Sequence, residues 1–128
     1  MIVDTSALIA ILRDEPERDE FAQLIVDQPA RISAANWVEA AMVAEGDRGD
    51  RGDRLDRLVA TARIVIEPVT ESHARAARIA FRRYGRGSGS PARLNFGDCF
   101  AYALSATSGE PLLFKGDDFT HTDVLPAR

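Results

Sequence analysis

The sequence predicts an α/β protein with a largely parallel sheet, because short apolar runs alternate with longer segments of helical spacing. The chain has 128 residues, of which 45% are hydrophobic and 28% charged. This length predicts a single domain over residues 1–128, and this composition excludes a disordered or fibrous protein. The single cysteine, Cys99, and the presence of only two histidines exclude a disulfide and cysteine-rich or histidine-rich metal sites.

The first part of the chain predicts a strand followed by two helices. Met1–Val3 predicts a buried strand that ends at Asp4, and residues 5–12 continue with helical spacing. An acidic cluster over residues 14–20, with Pro16 in a first turn, predicts the start of the second helix. Acids near a helix start interact favourably with the helix dipole.

A second strand and a third helix are expected next. Residues 31–33 predict a short strand, and Ser33 is placed to cap an apolar helix over residues 34–44. Gly46 ends that helix. The three-residue repeat over residues 46–54 is typical of an exposed loop or a frayed helix end.

The second half of the chain continues the alternation. The expected elements are a helix over residues 55–62, a strand within 63–68, a helix from the Thr70 cap to about Tyr84, a flexible loop over 85–92, a helix beginning at Asn95, a strand over 112–114 and a last short strand near Val124.

The charge balance is 16 basic against 20 acidic residues, and the net charge of −4 by itself argues against a nucleic-acid partner. If five acids belong to one site, however, fifteen acids face sixteen bases and the remaining surface is nearly neutral. Fifteen of the bases are arginine, whose planar guanidinium suits phosphate. Arg75, Arg78 and Arg82 form one basic stripe on a predicted helix.

Several carboxylates stand in segments that otherwise have the composition of buried structure. An ionised carboxylate in a core is unfavourable unless it is paired, hydrogen-bonded or bound to a cation. The only lysine, Lys115, can pair with just one of them. If these side chains converge at the carboxyl ends of the strands, they suit Mg²⁺ or Mn²⁺. They are Asp4, Glu39, Asp98, Asp117 and Asp118.

Each acid except one also has a local explanation. Asp4 could cap the helix that follows it, Asp98 could complete a capping box, and Asp117 with Asp118 could form an ordinary turn. Glu39 has no capping role in the second turn of an apolar helix. The metal-site hypothesis therefore depends on the set and not on any single member.

Other catalytic chemistries are disfavoured. A Walker A phosphate loop is absent, because Lys115 is followed by glycine and the glycine-rich loop has no lysine. Neither histidine lies in a nucleophile-elbow context. Cys99 points about 100° away from Asp98 on a helix and is expected in the core.

Four segments, in this order, resemble the successive motifs of a PIN domain and, more narrowly, of the VapC toxins of VapBC toxin–antitoxin systems. They are MIVDTSALIAIL, SAANWVEA, LNFGDCFAYALS and PLLFKGDDFTHTDV, and the resemblance covers nearly the whole chain. It implies a three-layer α/β/α fold with a central, mainly parallel sheet. It also implies an endoribonuclease that depends on Mg²⁺ or Mn²⁺ to hydrolyse RNA phosphodiester bonds.

The resemblance assigns roles to individual residues. Asp4 and Asp98 match the principal metal-binding aspartates, and Glu39 matches the helical acid. Asp118, with its neighbour Asp117, matches the fourth acid. Thr5 and Ser6 resemble the hydroxyl positions that support the first aspartate. Gly116 stands where many relatives have an acid, so the number of ions stays open.

The resemblance also implies partners. These are an RNA substrate, a VapB-type antitoxin whose tail blocks the site, and a second copy of the chain in a homodimer and a toxin–antitoxin hetero-oligomer. The arginines that could contact the RNA backbone, or simply form a solvated face, are Arg75, Arg78, Arg82, Arg83, Arg86 and Arg93. No run reaches the roughly 18 apolar residues of a membrane span, and the N-terminus has no basic lead, so a cytoplasmic protein is expected.

Two other classes fit some of these observations. A magnesium-binding receiver-like regulatory domain also gathers aspartates at strand ends, although its phospho-accepting aspartate should follow the third strand, where this chain has Glu67. A catalytically inactive interaction subunit with a vestigial site is the other alternative.

Overall fold

The computed structural model describes residues 1–128. A four-stranded sheet with the strand order β3-β2-β1-β4 lies between helices. The elements are β1 Ile2–Val3, α1 Thr5–Leu12, α2 Arg18–Asp27, β2 Arg31–Ser33, α3 Ala34–Gly46, α4 Arg51–Thr61, β3 Val65–Glu67, α5 Glu71–Tyr84, α6 Phe96–Ser108 and β4 Leu112–Leu113. A 3₁₀ turn, Asp118–His121, follows β4.

All strand pairings are parallel, as the sequence predicts. β1 lies in the centre and pairs with β2 on one side and β4 on the other. Since the strands run in the same direction, their carboxyl ends meet at one edge of the sheet. The order also excludes the receiver-like alternative, because doubly wound receivers have the order 2-1-3-4-5.

The two faces of the sheet support separate cores, which gives the three layers. Adjacent strand residues point to opposite faces, so Val3 packs in the core shared with α1, α2, α3 and α4. Ile2 packs in the other core, together with residues of α5 and α6. Both side chains are fully buried. The three-layer α/β/α architecture follows from this division.

The repeat over residues 46–54 differs from the loop or frayed end that its composition predicts. Helix α4 begins at Arg51, inside the repeat. The guanidinium groups of Arg51 and Arg54 both donate to the carbonyl of Leu12 at the end of α1. Arg13 also forms two hydrogen bonds with Asp47, at 3.0 and 2.9 Å. These contacts hold the repeat against α1.

The strand expected near Val124 does not form. Only an isolated bridge joins Leu112 to Pro126, beside β4. Proline has no N–H to continue the ladder, and Leu125 is largely exposed. The prediction of a fifth strand is therefore wrong.

Two further features of the fold lie beside α5. Strand β3 is an edge strand whose Val65 and Ile66 are partly exposed, whereas the adjoining Ile64 is buried. The loop over residues 85–92 is flexible by composition, yet hydrogen bonds between Tyr84, Arg86 and Leu94 join its two ends.

No helix is both long and apolar enough to cross a membrane.

Candidate active site

Asp4 lies at the carboxyl end of β1 and caps α1. Its Oδ2 accepts hydrogen bonds from the Ser6 backbone N–H at 3.0 Å and from the Ser6 hydroxyl at 2.6 Å. The side chain is buried, and Oδ1 has no hydrogen-bond partner. Capping therefore satisfies only one of the two carboxylate oxygens, and the other is free to bind a cation.

Ser6 connects Asp4 to the strand on the far side of β1. Its hydroxyl accepts a hydrogen bond from the Lys115 backbone N–H at 2.9 Å while it donates to Asp4. The supporting role expected of Ser6 agrees with this geometry. Thr5 differs, because its hydroxyl donates to the Asn36 carbonyl at 3.0 Å and not to Asp4.

Glu39 projects from the second turn of α3 towards the start of α6. The Asn36 side-chain amide lies 3.5 Å from its Oε1. A Cβ built on Gly97 would overlap the Glu39 carboxylate, with Oε1 only 2.7 Å away. The half-buried Glu39 carboxylate therefore rests against the backbone of the residue that precedes Asp98.

Asp98 lies in the first turn of α6, where it completes a capping box. Its Oδ2 accepts from the Asn95 N–H at 3.0 Å, and its own N–H donates to the Asn95 side chain at 2.8 Å. The local capping explanation is thus correct for Asp98, as it is for Asp4. It does not account for the charges that surround both residues.

The pKa values show that four of the five predicted acids interact. The pKa of Asp4 is raised to about 7, chiefly by burial and in smaller part by the charges of Asp98 and Glu39, while the hydrogen bonds from Ser6 oppose the rise. The pKa of Asp98 is raised to about 6, chiefly by burial and in smaller part by repulsion from Asp118 and Glu39. Convergence of like charges in a partly buried site is typical of a site that binds a cation.

Asp117 and Asp118 are adjacent residues at the start of the 3₁₀ turn that follows β4. Asp118 begins the 3₁₀ turn and its charge acts on Asp98, whereas both side chains are exposed. The backbone carbonyl of Asp117 accepts a hydrogen bond from the Thr120 N–H at 3.0 Å, within the turn. The structure therefore brings the charge of Asp118 to the acidic group.

The acidic group suits a hard divalent cation, although it is not preassembled. No three or more His, Cys, Asp or Glu side chains are arranged so as to hold a metal ion. Asp4 is held by its hydrogen bonds with Ser6, and Glu39 lies against Asn36 and Gly97. Coordination by all four acids would therefore require rotation of the exposed Asp118 side chain. The buried, unpartnered oxygen of Asp4 and the all-carboxylate donor set both fit Mg²⁺ or Mn²⁺.

The six predicted basic residues differ in their surroundings. Arg78 and Arg82 lie at a groove of about 620 Å³ between α5 and α6, whose other lining residues are apolar and include Phe96 and Phe100. The charge of Arg86 lowers the pKa of Asp98. By contrast, Arg75 pairs with a glutamate one turn earlier on α5, and Arg83 pairs with an aspartate and stacks on Tyr84. The remaining one, Arg93, is exposed with a φ of 51°.

Two residues at the site were not predicted from the sequence. Asn36 and Gly97 lie between α3 and α6, in contact with Glu39. The sequence signal that could have identified Asn36 is an asparagine three residues before the acid in the otherwise apolar segment SAANWVEA. Cys99 is buried in the core as predicted.

The comparisons with known proteins agree with the α/β/α fold. The model of the PIN domain family matches residues 1–125. The chain is 52% identical over 129 residues to ribonuclease VapC28 of Mycobacterium tuberculosis, covering 99% of this chain and 97% of that protein. It is 48% identical over 126 residues to ribonuclease VapC of Mycolicibacterium smegmatis, covering 97% of each.

Solved structures support the same fold. The crystal structure of Mycobacterium tuberculosis VapC20, a sarcin–ricin loop cleaving toxin, superposes with a TM-score of 0.77 at 16% identity, covering 99% of this chain and 98% of that one. A toxin–antitoxin complex from Klebsiella pneumoniae gives a TM-score of 0.68 at 17% identity, covering 92% and 88%. The chain belongs to the PIN domain family and, within it, to the VapC ribonucleases.

Proposed function

We propose that this protein is the toxin of a toxin–antitoxin pair and cleaves RNA internally with the aid of Mg²⁺ or Mn²⁺. The observation that carries the proposal is the buried, unpartnered carboxylate oxygen of Asp4, which lies within range of the charges of Asp98 and Glu39. A divalent cation held at such a place would offset the charge that develops on the scissile phosphate.

The ion would be held by Asp4 and Asp98, with Glu39 and Asp118 completing the acidic group. When bound, it lowers the pKa of water and offsets negative charge on the scissile phosphate. Ser6 holds the Asp4 carboxylate in place through two hydrogen bonds, and the capping box holds Asp98. Both aspartates are thus oriented before substrate binds.

RNA binding is assigned to the arginines that remain free near Asp98. Arg78 and Arg82 line the groove beside α6, and Arg86 lies close enough to Asp98 for their charges to interact. Guanidinium contacts with phosphates position a strand without selecting its sequence. Arg75, Arg83 and Arg93 are assigned a weaker part in the same contact, because the first two already pair with acids.

Two protein partners are proposed in the cytoplasm. One is a VapB-type antitoxin, which would place a basic side chain against the acidic group and displace the cation. The other is a second copy of the chain, which would cover the apolar face formed by Val38, Met42, Phe96 and Phe100. Met42 and Phe96 on this face are 71% and 79% exposed, more than an isolated globular surface favours for such side chains.

The proposal is tested by RNA cleavage with Mg²⁺ or Mn²⁺ by the wild type, Asp98→Asn and a control, Asp19→Asn. The Asp19 side chain is 96% exposed and lies on α2, so its loss should leave cleavage unchanged. We expect Asp98→Asn to cleave at least about 100-fold more slowly. A wild type that cleaves no RNA with either ion would favour the inactive interaction subunit, and an active Asp98→Asn would exclude the acidic group as the catalytic site.

Induction in a bacterial host separates a toxin from a harmless nuclease. We expect the wild type to arrest growth and Asp4→Ala to leave growth unaffected.

A further inference from the structure

Asn36 joins the three helices whose N-terminal halves carry the acids. Its backbone carbonyl accepts a hydrogen bond from Thr5, the residue after Asp4. Its side-chain amide donates to the carbonyl of Gly97, the residue before Asp98, at 2.9 Å. These contacts make Asn36 a junction between α1, α3 and α6.

The same amide group of Asn36 reaches the third acid. It lies 3.5 Å from Oε1 of Glu39, one turn further along α3. Asn36 is fully buried, so its hydrogen bond to the Gly97 carbonyl is shielded from solvent. The amide therefore connects the Glu39 carboxylate to the first turn of α6.

Gly97 is the matching feature on the other side of this contact. The atoms nearest to a Cβ built there all belong to the Glu39 side chain. A methyl group on Gly97 would displace the carboxylate but would meet no other atom as closely. The absence of a side chain at Gly97 thus lets Glu39 rest beside Asp98.

Stability does not explain the choice of asparagine here. A buried amide costs free energy unless all its polar atoms are paired, and Oδ1 of Asn36 has no partner. An apolar residue of similar size would avoid this cost. What the apolar residue would lose is the hydrogen bond to Gly97 and the contact with Glu39.

We propose that Asn36 and Gly97 are positioning residues that fix the Glu39 carboxylate beside Asp98, and that cation affinity depends on this placement. The inference rests on the proposed function, since it concerns the same acidic group. Neither residue touches the substrate, and both act through Glu39.

Gly97→Ala gives the sharpest test. Its φ lies outside the positive region, and alanine favours a helix more than glycine does, so the midpoint of thermal unfolding in EDTA should stay the same or rise. The displaced carboxylate should weaken Mn²⁺ binding, measured by titration calorimetry, roughly 10- to 100-fold, as loss of a supporting contact typically does. Higher Mn²⁺ concentrations should then restore kcat for RNA cleavage.

Asn36→Leu tests the other residue, with Ser105→Ala as its matched control. Ser105 is buried on α6 and donates to the Glu110 carbonyl at 2.7 Å, at the helix end far from Asp98. Both variants lose a buried side-chain hydrogen bond to a carbonyl. Only Asn36→Leu should weaken Mn²⁺ binding.

The outcomes separate the inference from the proposed function. A wild type that binds no Mn²⁺ overturns the proposed function and the inference with it. A wild type that binds Mn²⁺, with Gly97→Ala binding equally well, overturns the inference and leaves the function intact. If Asn36→Leu does not fold, Gly97→Ala alone decides.

Discussion

Asp4 combines a structural role with a chemical one at a single residue. One carboxylate oxygen caps α1 through Ser6, which any helix-capping aspartate would do. The other oxygen is buried without a partner, which a capping role does not require. The resulting rise in the pKa of Asp4 to about 7 makes this residue detectable in solution without any assay of activity.

Stability without divalent cations should therefore fall as pH rises. The ordinary pKa of an aspartate is 3.8, so between about pH 4 and pH 7 folded Asp4 holds a proton that the unfolded chain has released. Linkage makes this worth on the order of 1.4 kcal/mol per pKa unit, a few kcal/mol in all. Urea unfolding in EDTA should show the loss for the wild type and only a smaller loss, from Asp98, for Asp4→Asn.

The exposed acid Asp19 provides the control for this measurement, because Asp19→Asn should follow the wild type at every pH. If Asp4→Asn and the wild type lost stability equally, the protonated, buried state of Asp4 would be excluded.

At the scale of elements, the acidic group depends on where helices begin. Asp4 precedes α1 and Asp98 lies in the first turn of α6, so both are held by backbone N–H groups that have no partner within the helix. The C-terminal end of α1 is also held by side-chain hydrogen bonds. There the carbonyl of Leu12 accepts from Arg51 and Arg54 of α4, which ties the arginine-rich repeat to the helix that carries Ser6.

Replacement of both arginines should destabilise the fold without affecting the site. The double variant Arg51→Ala with Arg54→Ala leaves the Leu12 carbonyl without its charged donors, and we expect a loss of about 1–2 kcal/mol in urea unfolding. Arg57→Ala is the control, because Arg57 is exposed and only 3.6 Å from the equally exposed Asp50. A double variant as stable as Arg57→Ala would show that the repeat is not anchored by these contacts.

At the scale of the whole molecule, the parallel sheet brings the acids to the same edge. β1 in the centre and β4 beside it bring Asp4 and the turn with Asp118 to one edge, and α3 and α6 cover that edge from the two layers. The apolar face of Val38, Met42, Phe96 and Phe100 lies next to it, so a second copy bound there would border the acidic group.

The proposed homodimer is tested on this face. Light scattering after gel filtration should give about twice the chain mass of 14.0 kDa for the wild type. Met42→Glu should give the single-chain mass, because a buried unpaired charge at an interface is strongly unfavourable. The control is Val26→Glu on α2, where Val26 is 69% exposed outside this face. A monomeric wild type would contradict the homodimer.

The sequence predicted most of the fold because its signals are local. The caps at Asp4, Ser33, Thr70 and Asn95 all form as expected, since capping depends on a few neighbouring residues. The segment after Val124 forms only one bridge, to Leu112, because Pro126 has no N–H to continue the ladder, and such pairing is decided across the sheet. The anchored repeat was missed because its partner, Leu12, is far away in sequence.

The candidate site divides in the same way. The sequence by itself identified the candidate acids, because Asp4, Glu39 and Asp98 are charged residues in otherwise apolar segments. Only the tertiary structure shows that the charge of Asp118 acts on Asp98, that Ser6 and not Thr5 donates to Asp4, and that Asn36 and Gly97 lie against Glu39. The physical reason is that these effects act over different distances along the chain. Composition and helix capping depend on residues within about one turn of each other. Charge repulsion and helix–helix contact depend on distances in space that are set only when the chain folds.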